Sequence, residues 1–251
     1  MRKGRGVSRE TLVSAQVAVE LLRRAREAGE CRIEPVAGWS RINSGPEKIL
    51  AVFRPLELKS GYFLTGYRFE MGGNGNGFVY AVPEGTYVPD PDECSVDSSL
   101  SLEPPVPPGA MDDIMDAIEG DGTPLSFLCA SFLERELSEF GAMWHGCEWS
   151  THELVTRDPF SVGGLFGEGG GISDRGCTPH DADAWRWHRE KPGRWEPLVK
   201  MGRGYATVTF FTHSGLGREA IYCHVDKFPL GTYRAKSRRI VVAEGPGGFV
   251  F

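Results

Sequence analysis

The chain has 251 residues and a formal net charge of −6 at pH 7, with 40% hydrophobic, 11% aromatic and 25% charged residues. That composition excludes a disordered polyelectrolyte, in which low hydrophobicity and high net charge prevent collapse. A chain of this length buries roughly 70–75% of the surface its unfolded form exposes, so one large domain or two smaller ones can hold a core.

The charge is polarised along the chain. Residues 1–30 carry seven basic and four acidic side chains; residues 69–134 carry thirteen acids and no Lys or Arg; from Arg186 onward twelve basic residues face five acids. An acidic middle between basic ends suits either mutual attraction of the parts or an anion-binding C-terminal surface. The basic start, Met1-Arg2-Lys3-Gly4-Arg5, leads into a pattern that keeps its charges, so neither a secretory signal nor a membrane span is expected and a cytoplasmic location is. Cys31, Cys94, Cys129, Cys147, Cys177 and Cys223 contain no C-x-x-C pair. Zinc ribbons, thioredoxin-type motifs and dense disulfide scaffolds are thereby disfavoured, and free, mostly buried thiols are expected.

In chain order, Ser8 reads as the N-cap of an amphipathic helix over 9–28, with Leu12, Ala15, Val19 and Leu22 on one face and Gly29 as its stop. Strands follow at Cys31–Val36, Lys48–Phe53, Tyr62–Met71 and Phe78–Val82. Gly72-Gly73-Asn74-Gly75-Asn76-Gly77 reads as a six-residue hairpin loop, which sets Met71 opposite Phe78, Phe69 opposite Tyr80 and Tyr67 opposite Val82, all on one face. The loop lacks the G-K-[ST] ending and following helix of a phosphate loop.

Residues 83–109 are rich in Pro, Asp and Ser and read as a linker or a long excursion. Asp90, Asp92 and Asp97 lack EF-hand spacing. A short helix is expected over Ala110–Glu119, then a long one capped by Thr123 with Pro124 at its first position and Gly141 beyond its end. Residues 163–171 form a second glycine-rich loop, a disordered segment or a lid. Four strands close the chain, at Arg194–Met201, Tyr205–His213, Arg218–Lys227 and Arg238–Ala243.

Helices grouped apart from strands give an α+β fold, mainly antiparallel, with a few amphipathic helices packed on one side and long Gly/Pro-rich loops. The expected organisation is an N-terminal helix plus strands over 1–100, a Pro-rich connection at 101–109, and a helical pair followed by the C-terminal sheet over 110–251, the whole compatible with one integrated domain.

The candidate site lies in the C-terminal hairpin. With Ser214–Gly217 as its turn, His213 stands opposite Arg218 and His224 opposite Thr207, which holds the two imidazoles roughly 20 Å apart and prevents a shared metal. One face is then apolar, while Tyr205, Thr207, Thr209, Phe211, His213, Arg218, Tyr222, His224 and Asp226 form the other. Its mixture of hydroxyls, imidazoles, a guanidinium and aromatic surface resembles a polar-ligand lining, so Tyr205, Thr207, Thr209, Tyr222 and His224 are the expected ligand-binding residues. His152-Glu153 does not continue as H-E-x-x-H, no G-x-S-x-G elbow occurs, and neither a cofactor nor a metal is implied.

The leading expectation is a non-enzymatic module that binds a polar or anionic small molecule or a protein partner through this sheet face. The alternative is a hydrolase or transferase using His224 as acid/base with Tyr222 and Arg218 or Arg203 steadying an anion. A third reading, nucleic-acid binding, rests on Trp185, Trp187, Trp195, Tyr205, Phe228 and Tyr233 interleaved with C-terminal Lys and Arg.

Overall fold

The computed structural model describes residues 9–29, 37–42, 45–93, 104–165 and 182–250. In chain order its elements are β1 (Arg9–Leu12), α1 (Ala15–Gly29), β2 (Gly38–Ile42), α2 (Pro46–Val52), β3 (Leu56–Leu58), β4 (Tyr62–Met71), β5 (Asn74–Pro83), β6 (Ile118–Gly120), α3 (Pro124–Ser138), β7 (Glu153–Val155), β8 (Arg186–Trp187), β9 (Leu198–Met201), β10 (Tyr205–Ser214), β11 (Ala220–Pro229) and β12 (Lys236–Glu244). They make an α+β fold built mainly of antiparallel sheet. The large sheet runs β1-β9-β10-β11-β12-β8, with β7 also paired to β10; β2-β4-β5 and β3-β6 form two smaller sheets.

By proximity the chain divides into two units. One comprises 1–19, 151–227 and 236–251; the other comprises 20–150 and 228–235. Both sides of the Pro-rich stretch at 101–109 belong to the second. In that unit residues 84–93 are tied down: the Tyr67 hydroxyl donates to the Pro89 carbonyl at 2.7 Å and Arg41 Nη1 to the Val88 carbonyl at 3.0 Å.

Several local expectations change. Residues 9–12 are not helical but pair antiparallel with Met201–Leu198, and α1 begins only at Ala15. Ser8 and Cys31–Val36 lie outside the described residues. Lys48–Phe53 is not a strand; α2 starts at Pro46, directly after Gly45, and buries Ile49, Leu50 and Val52. Apolar side chains at 46, 49, 50 and 53 follow the helical period, and proline at the first helical position lacks only an N–H that would be unsatisfied anyway. In place of a helix over 110–119 stands one 3₁₀ turn, Ile114–Ala117, capped by Asp113, whose carboxylate accepts from the Met115 N–H. The chain then pairs with Leu56–Leu58 as β6. The long helix α3 is as expected, with the Thr123 side chain accepting from the Ser126 N–H and Phe127, Leu128, Phe132, Leu133 and Leu137 buried.

The β4–β5 hairpin turns on Gly72-Gly73 alone, with φ of 60° and 86°. Two successive positive φ values are what a type I′ turn demands, and glycine adopts them freely. The register is Met71↔Asn74, Phe69↔Asn76, Tyr67↔Phe78, so the expected six-residue loop is wrong by four positions. A slip of an even number preserves faces. Phe69, Phe78 and Tyr67 therefore still share one side, with Trp39 packed 5.2 Å from Phe69 and 5.8 Å from Phe78. The opposite side carries Arg68 and Glu70, paired across the ladder with Gly77 and Gly75. A Cβ on Gly77 would overlap the Phe140 carbonyl. Gly75 and Met143 exchange backbone hydrogen bonds of 3.3 and 2.8 Å. These two glycines thus belong to a strand and permit another backbone to lie directly on it.

Candidate functional site

Strands β10 and β11 set the site, and side-chain contacts reveal their mutual parity. The Phe210 and His224 rings stack at 4.7 Å, the Thr212 hydroxyl lies 2.8 Å from His224 Nε2, and the Lys227 ammonium sits 4.0 Å above the Tyr205 ring. Even-numbered β10 residues therefore share a face with even-numbered β11 residues, and odd with odd. The expected hairpin register, with His224 opposite Thr207, had joined odd to even. β10 continues to Ser214 and β11 begins at Ala220, with Gly217 at φ 68° in the connection. A shift by an odd number of residues moves one strand's whole set of side chains to the other face.

The even face is closed. Ala206, Val208 and Phe210 are fully buried, as is Asp226 on β11. His152, only 2% exposed, places Nδ1 2.7 Å from the Thr212 hydroxyl, and its ring lies 5.7 Å from that of His224 and 5.1 Å from that of Tyr222. A second imidazole thus stands beside His224. His224 itself is 3% exposed. Cavities of about 450, 300 and 140 Å³ occur among the described residues, and neither imidazole lines any of the three. Tyr222 is half-buried, with the Arg239 guanidinium 5.1 Å from its ring centre. Arg218 is exposed and reaches Glu244 at 3.4 Å, and His213 leaves by the odd face, its Nε2 3.1 Å from Glu219.

The odd face has two halves. At one end Phe211 and Ile221 join Val155, Trp185, Trp195, Val242 and Ala243 in an aromatic-rich core, and Trp195 meets Phe211 edge-on at 5.1 Å. The other end is open. Here Tyr205 is 43% exposed, and Thr207 and Thr209 are partly so. The ladder places Lys200 and Leu198 beside the two threonines and Glu10 and Leu12 beyond those. Across β11 it places Cys223, Val225 and Lys227 against Ile240, Arg238 and Lys236. Lys200 is paired with Glu10 at 3.0 Å. Lys227, Lys236 and Arg238 are exposed, and no ion pair is formed by them among the described residues.

No family model, curated protein or solved structure matches this chain.

The hairpin thus distributes the sequence-derived candidates over two surfaces. Tyr205, Thr207 and Thr209 stand together on the open face, whereas Tyr222 and His224 meet His152 on the closed one. The cations that complete the open face were visible in sequence as the alternation Lys236, Arg238, but their alignment with β10 required the true register. Of the aromatics that suggested base stacking, Trp185, Trp195, Phe228 and Tyr233 are at most 5% exposed. Among the described residues no helix is long and apolar enough to cross a membrane.

Proposed function

We propose that this chain is a non-enzymatic binding module that receives an acidic protein partner on the open half of its large sheet. One observation carries the reading: Lys227, Lys236 and Arg238 surround partly exposed Val225, Ile240 and Tyr205 on a sheet face, with no carboxylate of the described residues bonded to them. Apolar surface ringed by charge is the ordinary anatomy of a protein interface, and a field of one sign both steers and selects an oppositely charged partner. Because most of the C-terminal aromatics are spent in cores, this surface suits carboxylates better than stacked bases.

The test is titration with a short peptide of alternating Glu and Leu, compared with a single-stranded oligonucleotide of equal charge. Peptide binding that weakens with salt, and that is lost in the Lys227→Glu/Lys236→Glu/Arg238→Glu variant, supports the reading. Unchanged binding by that variant overturns it, and tighter binding of the oligonucleotide transfers the surface to nucleic acid.

A further inference from the structure

The unit made mainly of residues 20–150 contains a cavity of about 450 Å³, within the roughly 300–1,000 Å³ usual for small-molecule sites. Its wall includes Arg68. This residue leaves β4 on the glycine-bearing side of the hairpin and is only 7% exposed. Its Nε is buried and has no hydrogen-bond partner. Nη2, the other half of the same guanidinium edge, touches only the Met143 sulfur, and no carboxylate of the described residues pairs with it. Burying an unpaired cation is strongly unfavourable unless something neutralises it.

The carboxylates that share the wall are already engaged. Glu136 accepts from the Trp149 indole N–H at 2.6 Å and from Arg26 Nε at 3.4 Å. Glu139 accepts from the backbone N–H groups of Glu148 at 2.6 Å, Ser150 at 2.9 Å and Trp149. Arg68 is left as the charged side chain of this wall that meets neither a counter-charge nor an oxygen acceptor among the described residues. Ile49, Phe140, Met143 and Trp149 supply apolar surface around it.

We propose that this cavity binds a small carboxylic acid with an apolar body, its carboxylate gripping the Nε–Nη2 edge of Arg68 in place of the Met143 sulfur. A guanidinium edge and a carboxylate match in plane and spacing, giving two parallel charge-assisted hydrogen bonds. A phosphate dianion fits less well, because a single guanidinium cannot satisfy it and Glu136 and Glu139 stand in the same wall. The site is independent of the open sheet face, so either assignment stands without the other.

The experiment uses benzoate as probe, with benzyl alcohol as its uncharged counterpart and inorganic phosphate as the tetrahedral anion, all at constant ionic strength. Thermal midpoints and tryptophan fluorescence are read for the full chain and for Arg68→Met and Arg68→Lys. The expected result is a saturable rise in midpoint with benzoate alone. Arg68→Met should show no such rise while starting from a ligand-free midpoint at least as high as wild type, since the unpaired charge is gone. Arg68→Lys, which keeps the charge but not the fork, should bind benzoate roughly 10–100-fold more weakly. Absence of a saturable benzoate effect in the wild type, an equal effect in Arg68→Met, or phosphate binding more tightly than benzoate overturns the proposal. Should Arg68→Met not fold, Arg68→Lys decides alone: undiminished affinity there also overturns it.

Discussion

The rings of Phe210 and His224 lie nearly parallel, 8° apart, with centroids separated by 4.7 Å. This contact fixes β10 against β11 and delivers His224 to Thr212, whose hydroxyl also meets His152. A single hydroxyl can donate to only one imidazole, so it accepts from the other or leaves it to a different partner. Thr212→Val should lower unfolding free energy by about 1–3 kcal/mol, because buried ring nitrogens lose their partner, while Thr212→Ser should retain most of it. Urea denaturation of both variants checks this; equal stability of the two would remove the bridging role.

The glycines of the β4–β5 hairpin should separate into two behaviours. Gly77→Ala forces a methyl group into the Phe140 carbonyl and should destabilise by about 1–3 kcal/mol. Gly72→Asn creates Asn-Gly at a type I′ turn where no atom obstructs the new side chain, and should be neutral or slightly stabilising. Thermal unfolding of the two single variants distinguishes a load on the strand from a load on the turn.

Glu136 gives a pH dependence whose sign is fixed. Burial raises its pKa above the ordinary 4.5, against the opposing pull of Arg26 and of the Trp149 indole N–H. The folded state therefore holds this proton more tightly than the unfolded one. The associated stability is fully present below 4.5 and is lost as pH rises through the higher folded value. Glu136→Gln should lack that decline, so the stability of wild type relative to the variant should fall between mildly acidic and neutral pH. A difference independent of pH would contradict this.

The thiols of Cys129 and Cys223 should be inert in the folded protein. Burial pushes Cys129 up to about 12 and Cys223 up to about 11, the latter helped by nearby Asp226. Since the thiolate is the nucleophile, neither should react with an aromatic disulfide reagent at pH ~8 until denaturant is added. Peptide mapping by mass spectrometry would reveal native labelling at either position if this is mistaken.

The parts of the fold legible in sequence were those governed by neighbours along the chain. Thr123-Pro124 announced α3 because capping and the fixed φ of proline act within one turn. The Tyr67/Phe69/Phe78 face survived a misplaced register only because the slip was even. The C-terminal hairpin was not legible in this way. Its connection is held by the distant chain end, with the Gly217 N–H donating to the Phe249 carbonyl at 2.7 Å and the Glu219 N–H to Gly247 at 3.0 Å. A turn rule applied to Ser214–Gly217 cannot see such bonds, and it therefore assigns Tyr222 and His224 the wrong neighbours on β10. Arg68 is not legible in the sequence for a different reason: nothing local distinguishes a buried cation from the many exposed ones.

The pairing of β1 with β9 joins residues some 190 positions apart, as the Glu10–Lys200 contact shows. During synthesis at about 5–20 residues per second, the N-terminal strand has no partner for roughly 10–40 s. Most of the intervening 20–150 unit is made in that interval and can begin to fold first. Meanwhile the edge that β1 will later occupy does not yet exist. Shortening β1 should therefore show itself in the yield of folded protein from translation before it shows in the stability of the finished chain.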